Sequence, residues 1–536
     1  MASAILRFAV RSGVWASAFT APLAAQAADP DALVIVTGQQ AAMPIPTCME
    51  GPQNLTANSD VADQLFLRLA ELPPDLVTTD ERRFVPVLAK SWTRRDSLTL
   101  AFDLDPRARW HNGRPVTAAD VVFTFERARN PKVAPKLAGL LHHIVSVAAE
   151  GARRVVIRFD RVYAEQFYDA TFNVAPMPAG LVPADAAPCP VVPPVGDGPF
   201  RWVRSVPGQF VELAADSGFF LGAPKIRRLF FRTAADPEAR VNLLLSGEAD
   251  ATDNIPSPPL SNVERVEEAP GLRVVPLASP VLGYLLFNQR DRGDSTKPHP
   301  ILSDPSVRRA IALALDRRRM VQSVFGRYGD VPFGPASRLL WIQRGAPAAA
   351  GQDTAQARRL LAKAGWVARN EDGILTRDGH PLALSLSYPL TSEARKQMAL
   401  QVQEQLRGMG IRIDLQRLEG PVWAERRAHG NFDIDFSSAT QDPTPSGLTQ
   451  SWSCSGGTNV AHYCDLGVDS LLNRAITSPP GPAAGRLWQE VLRRIEADQP
   501  AVPMYSIAYV YAVSRRFRKA PIRPESSWLR VREWSR

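Results

Sequence analysis

Few side chains in this 536-residue sequence could do chemistry: four cysteines, seven histidines, and the carboxylates gathered in FDIDFSSATQDP, Phe432 to Pro443. A structural metal would need CxxC or HExxH spacing or clustered histidines, and none occurs. A hydrolase would need a nucleophile motif such as GxSxG, or two carboxylates flanking a bond. Asp433 and Asp435 are next but one on one strand, with nothing to make them an acid/base pair. Asp442 closes the same stretch. It stands just before Pro443, where an aspartate either caps a turn or the helix expected over Pro445 to Trp452, or presents its charge to a cation. A carboxylate taken out of water is costly unless it meets a counter-charge, so it selects ligands that bring one.

The elements that position Asp442 follow from periodicity. Phe432, Ile434 and Phe436 alternate as a strand that runs into Ser437, Ser438, Ala439 and Thr440. Strand–helix alternation through residues 282–415 predicts α/β units with mainly parallel pairing. A helix is expected from Pro305 to Phe325, with Arg308, Arg309 and Arg317 to Arg319 on its solvated side. Others are expected over Thr354 to Gly365, Ser392 to Gly408 and Ala483 to Ala497. Earlier in the chain, Leu98, Leu100, Phe102 and Leu104 repeat with period two, and His111-Asn112-Gly113 is a turn. Thr117 and Asp120 then make a capping box whose hydroxyl and carboxylate are available to the first helical N–H groups. The helix should end at Asn130-Pro131.

Composition bounds the class. Hydrophobic cores stop growing at about 250–300 residues, so two lobes are expected. The net charge of +9 is scattered in short pairs such as Arg153-Arg154 and Arg227-Arg228, without a basic helix or stripe, which argues against nucleic-acid binding. Arg7 and Arg11 precede an apolar stretch, Val14 to Ala25, followed by Ala25-Gln26-Ala27. Residues 1–27 therefore read as a cleaved secretory leader, too short to span a bilayer and with no cysteine at the cut to carry a lipid. In an exported chain four cysteines suggest two disulfides, for which three pairings are open.

Three words carry a family resemblance: LAKSW (Leu88 to Trp92), FDLDPRARWHNGRPVTAADVVFTFERA (Phe102 to Ala128) and GDGPF (Gly196 to Phe200). The sequence resembles the extracytoplasmic solute-binding proteins of the peptide/nickel family, soluble receptors of peptide-type ABC importers. The resemblance implies an α/β, two-lobe periplasmic-binding-protein fold of type II, with an extra inserted subdomain in lobe I and two interlobe crossings. It places lobe I at 28–282 with the insertion at about 60–187, lobe II at 283–504, and a return to lobe I at 505–536. It also implies a periplasmic monomer without enzymatic activity or cofactor, which captures a peptide or other amine-bearing solute and passes it to an ABC permease. The rival readings are a secreted hydrolase and a receptor for a non-peptide solute such as glutathione, an opine, a sugar or a metal complex.

Site residues come with the same resemblance. Asp442 matches an aspartate that meets the ligand's α-ammonium group. Trp423 matches a tryptophan lining a side-chain pocket, Arg427 lies near a cleft arginine, and Gln39 and Gln40 lie in a loop that reaches the cleft. Ser438 and Ala439 line the approach to Asp442, and the lack of a bulky aromatic near Ala439 should widen the pocket. Tyr388 takes the place of an arginine that grips a ligand carboxylate in dipeptide binders, leaving that grip in doubt. Relatives with a local bridge after the same motif imply Cys454–Cys464, which leaves Cys48–Cys189.

Overall fold

Thr99–Leu104 forms a strand with Leu100, Phe102 and Leu104 buried, and Ala118–Ala128 forms the helix that follows it. The expected Thr117/Asp120 capping box stands at the start of that helix. The Thr117 amide and hydroxyl both donate to Asp120 Oδ2, at 2.9 and 2.8 Å. Asp120 also accepts from the Trp110 indole and the Ala179 amide, and so fixes the strand, the helix and a later loop to one point.

The computed structural model describes residues 29–53, 55–255 and 260–536; the expected leader, 1–27, lies outside the described residues. Its principal sheet has eleven strands among the described residues, ten of them on one path and numbered here in chain order: β1 Ala32–Thr37, β2 Phe200–Val206, β3 Phe210–Ala215, β4 Arg228–Thr233, β5 Ala251–Thr252, β6 Leu272–Phe287, β7 Ala383–Pro389, β8 Arg412–Leu418, β9 Ile434–Thr440 and β10 Ala501–Ser514. They lie in the order β8-β7-β9-β6-β10-β5-β1-β4-β3-β2, and the short strand Gly329–Asp330 adds to β10. β1 pairs in parallel with β4 and β5, and β7 with β8 and β9.

Period two divides the buried strands between two faces. Leu33 and Ile35 of β1 enter one core while Val34 and Val36 enter another. Leu285 and Phe287 of β6 enter a third core, and Tyr284 and Leu286 a fourth. The cores of β1 and those of β7 to β9 belong to different lobes, and β6 and β10, 16 and 14 residues long, are the two crossings. Their pairing slips between Ala278 and Leu282 and again at Gly283–Tyr284. Such slips bend a ladder without breaking it, which suits a hinge. A separate four-stranded sheet, Ala89–Asp96, Thr99–Leu104, Arg154–Phe159 and Ile144–Glu150, forms the insertion.

Two expectations in lobe II fail. The single helix expected over Pro305 to Phe325 is two, Pro305–Ala314 and Arg317–Phe325, because Leu315 turns extended and Asp316 caps the second helix through Arg319 N. Arg308 and Arg317, expected in solvent, are each 4 % exposed. Arg308 donates to the carbonyls of Gln499, Asp498 and Leu302, and Arg317 to those of Pro503 and Ala350. The carbonyls left unpaired where helix Pro482–Asp498 ends need donors, and Arg308 supplies them.

Cys48 is joined to Cys189 and Cys454 to Cys464, with Cα separations of 5.7 and 4.4 Å. Beside the first bridge, the buried Arg127 donates to Thr47 Oγ1, Ala186 O and Cys189 Sγ, fastening the loop after β1 to the segment around Cys189. The first bridge closes a loop of 141 residues and the second only 10. The double substitution Cys48→Ser with Cys189→Ser is therefore expected to lower stability by about 2–4 kcal/mol, more than the loss of the short bridge does. Urea midpoints of the two double variants check this order.

Candidate functional site

β9 runs antiparallel to β6 and carries Ser437, Ser438 and Ala439 opposite Tyr284, Gly283 and Leu282. Asp442 follows two residues after β9 ends. Its residue surface is exposed, yet desolvation pushes its carboxyl above the usual range, with Lys136 acting weakly in the other direction. Glu165 and Tyr168 of the insertion lie close enough to feel its charge. Among the described residues its carboxylate accepts no hydrogen bond, and helix Gly447–Trp452 is preceded by Ser446, not by an aspartate cap.

The lobes touch beside it. Glu165, buried, accepts from the hydroxyls of Thr78 in its own lobe, at 2.8 Å, and of Thr444 in the opposite lobe, and the Trp341 indole donates across to Thr78 at 3.2 Å. Arg344 reaches Asp75 in the same way, at 3.4 Å.

Under the cleft, Asp435 is fully buried. It accepts from Trp423 Nε1 at 2.6 Å and from Arg427 at 3.2 Å, while the Arg427 Nε also reaches Ser437 Oγ at 3.0 Å. Burial pushes the Asp435 carboxyl up, and Arg427 and the indole act against that rise. Arg395 lies over the Trp423 ring at 5.5 Å and donates to Phe436 O. Asp435 is the residue that sequence reasoning missed. The alternation of Phe432, Ile434 and Phe436 put it on the opposite face, but nothing in the sequence announced that helix Gly420–Ala428 would lie over that face.

The other expected site residues separate. Ser438 and Ala439 are half-buried at the end of β9. The Gln40 side chain is committed to the β2–β3 hairpin, donating to Ser205 Oγ and Val206 O and accepting from Gly208 N, whereas Gln39 is exposed. Tyr388 is 4 % exposed inside a lobe II core.

Two buried carboxyls near this wall carry a pH dependence. Burial pushes Asp169, bonded to the Tyr163 hydroxyl, and Asp197, bonded to the Leu67 amide, up to about 8. A carboxyl raised in the folded state stabilises fully below its unfolded pKa, and that stability is lost as pH rises through the folded value. Burial pushes His111, His143 and His462 down, which opposes the trend only below their ordinary value near 6.5. Between pH 6.5 and 8.5 these carboxyls act without opposition from the histidines, each up to about 1.4 kcal/mol per pH unit, and other buried acids raised by burial, such as Asp60, act in the same direction. Melting curves should show a Tm that falls by several degrees over that range, with a shallower fall in Asp169→Asn.

Two lobes joined by two crossing strands are the architecture of a solute-binding protein. The profile of Bacterial extracellular solute-binding proteins, family 5 Middle, matches residues 83–461, and the chain belongs to that family. It is thus an extracytoplasmic solute-binding receptor of the peptide/nickel class of ABC importers, and not an enzyme. The oligopeptide-binding protein AppA of Bacillus subtilis is 25% identical over 494 residues, covering 89% of this chain and 87% of the relative. A probable di/tripeptide-binding protein of Pseudomonas aeruginosa is 29% identical over 459 residues, covering 78% and 80%. Among solved structures, NikA from Brucella suis in complex with Fe(III)-EDTA superposes with a TM-score of 0.80 at 21% identity, over 95% of this chain and 100% of that one. AppA with a nonapeptide superposes with a TM-score of 0.70 at 22% identity, over 94% and 98%.

Proposed function

We propose that this receptor captures a peptide or another small amine-bearing solute between its lobes and delivers it to an ABC permease, working in the periplasm without a lipid anchor. Lobe I comprises 28–282 with 505–536, and lobe II 283–504. Asp442 meets the ligand's ammonium group, while Trp423, Arg427, Ser438 and Ala439 wall the pocket and Gln39 stands at its mouth. The observation that carries this reading is the Asp442 carboxylate, which desolvation pushes up and which is bonded to nothing among the described residues. Relatives named for oligopeptides and for di- and tripeptides support the ligand class.

Mechanically, a ligand that bridges both walls stabilises the closed state by its differential affinity, and bending is absorbed where β6 and β10 slip. Gly283 shows how tight that point is: a Cβ there would lie 2.2 Å from the Tyr505 ring. Native mass spectrometry of protein purified from its source tests the ligand class, with a retained amine-bearing peptide expected and released unaltered. Recovery of a sugar or metal complex instead would overturn it.

A further inference from the structure

The lobe I wall of the cleft holds an acid without a counter-charge. β1 and β5 are parallel and end side by side at Thr37 and Thr252, and the carboxyl ends of such strands are where an α/β sheet leaves its ligand crevice. Asp253 follows Thr252 directly. Asp60, in helix Thr56–Leu65, lies within electrostatic reach of Asp253 and of Tyr511 on β10.

The neighbouring acids are accounted for. Asp63 pairs with Arg68 at 2.7 Å and accepts from Ser526, and Asp250 pairs with Arg516 at 2.5 Å. Asp253 accepts from the Thr252 hydroxyl and sits in the field of Arg240, whose Nη1 donates to the carbonyls of Ala234 and Ala235. Asp60 alone is left over: it is 5 % exposed, and among the described residues its carboxylate forms no hydrogen bond or ion pair. Burying a carboxylate without a partner is costly enough to need a cation or a proton.

We infer that the cargo is at least dicationic, with one amine for Asp442 and a second basic group for Asp60 and Asp253 on the lobe I wall, as in a short lysine- or arginine-containing peptide. This rests on the reading of Asp442 above. The test is calorimetry on the full mature chain with trilysine, trialanine and spermidine. Trilysine should bind at least about tenfold tighter than trialanine, and Asp60→Asn, which keeps the side chain's shape, should remove about that tenfold from trilysine. Equal affinity for the two peptides, or an undiminished preference in Asp60→Asn combined with Asp253→Asn, overturns the inference while leaving the receptor reading intact. Spermidine bound in an Asp60-dependent way without either peptide would sustain the dicationic cargo and sink the peptide reading. Failure of both trilysine and spermidine to bind overturns the inference.

Discussion

Gly196→Ala is expected to leave little or no cooperatively folded protein. A Cβ at Gly196 would stand 1.7 Å from the Leu65 carbonyl oxygen, and one at Gly198 would stand 2.4 Å from that of Gln64. Both obstacles are backbone, so no side chain can swing away. The approach is enforced on every side: Gly198 N donates to Leu65 O at 2.8 Å, His111 N donates to Gly196 O at 2.7 Å, and Asp197 between them accepts from Leu67 N. The GDGPF segment thus holds the C-terminal end of helix Thr56–Leu65 through main-chain contacts, and relieving the clash would undo all of them. The cost is about 5 kcal/mol or more, in the range reserved for backbone strain and broken buried networks. Gly139→Ala is the control, since a Cβ there meets nothing within 4 Å and alanine favours the helix. Melting curves followed by circular dichroism separate the two. A Gly196→Ala protein that melts within a few degrees of the parent would show that the approach is looser than drawn.

The same segment shows what a sequence makes legible and what it does not. GDGPF identifies the architecture, yet its glycines are explained only by a helix end about 130 residues away, which no local pattern encodes. Local chemistry reads better: the strand Thr99–Leu104, the helix after Thr117 and the Ser392 cap of Glu393–Gly408 follow from periodicity and capping types. Arg308 and Arg317 mislead because a row of arginines on one helix face looks solvated, and only the arrival of residues 498–503 gives them carbonyls to serve. Asp316, by contrast, was a readable stop inside that row, since an aspartate three residues before Arg319 is a cap. In the site, Asp442 is marked by its proline, while Asp60 carries no local sign, because being unpaired is a property of the folded surroundings.

Asp442→Ala should remove most affinity for an amine-bearing ligand. A carboxylate enclosed on closure and bonded to an ammonium is one half of a buried charge pair, and truncating one half costs about 2–5 kcal/mol, which is thirtyfold or more in Kd. The free protein should respond in the opposite direction. Desolvation already raises this carboxyl, and among the described residues nothing bonds to it, so Asp442→Asn removes an unfavourable charge and should melt at or above the parent temperature without ligand. A turn or helix cap behaves differently: its loss costs about 1 kcal/mol of stability and leaves binding alone. The two roles therefore predict opposite pairs of results, and calorimetry with melting on one variant decides between them. The sign of the pH effect adds a third reading. If Asp442 holds the ligand as proposed, it does so in its ionised form, and because the raised carboxyl takes up a proton earlier than a free one, capture should weaken as pH falls through that raised value. In Asp442→Asn that component of the pH dependence should vanish, and its persistence would assign the effect to another acid in the cleft.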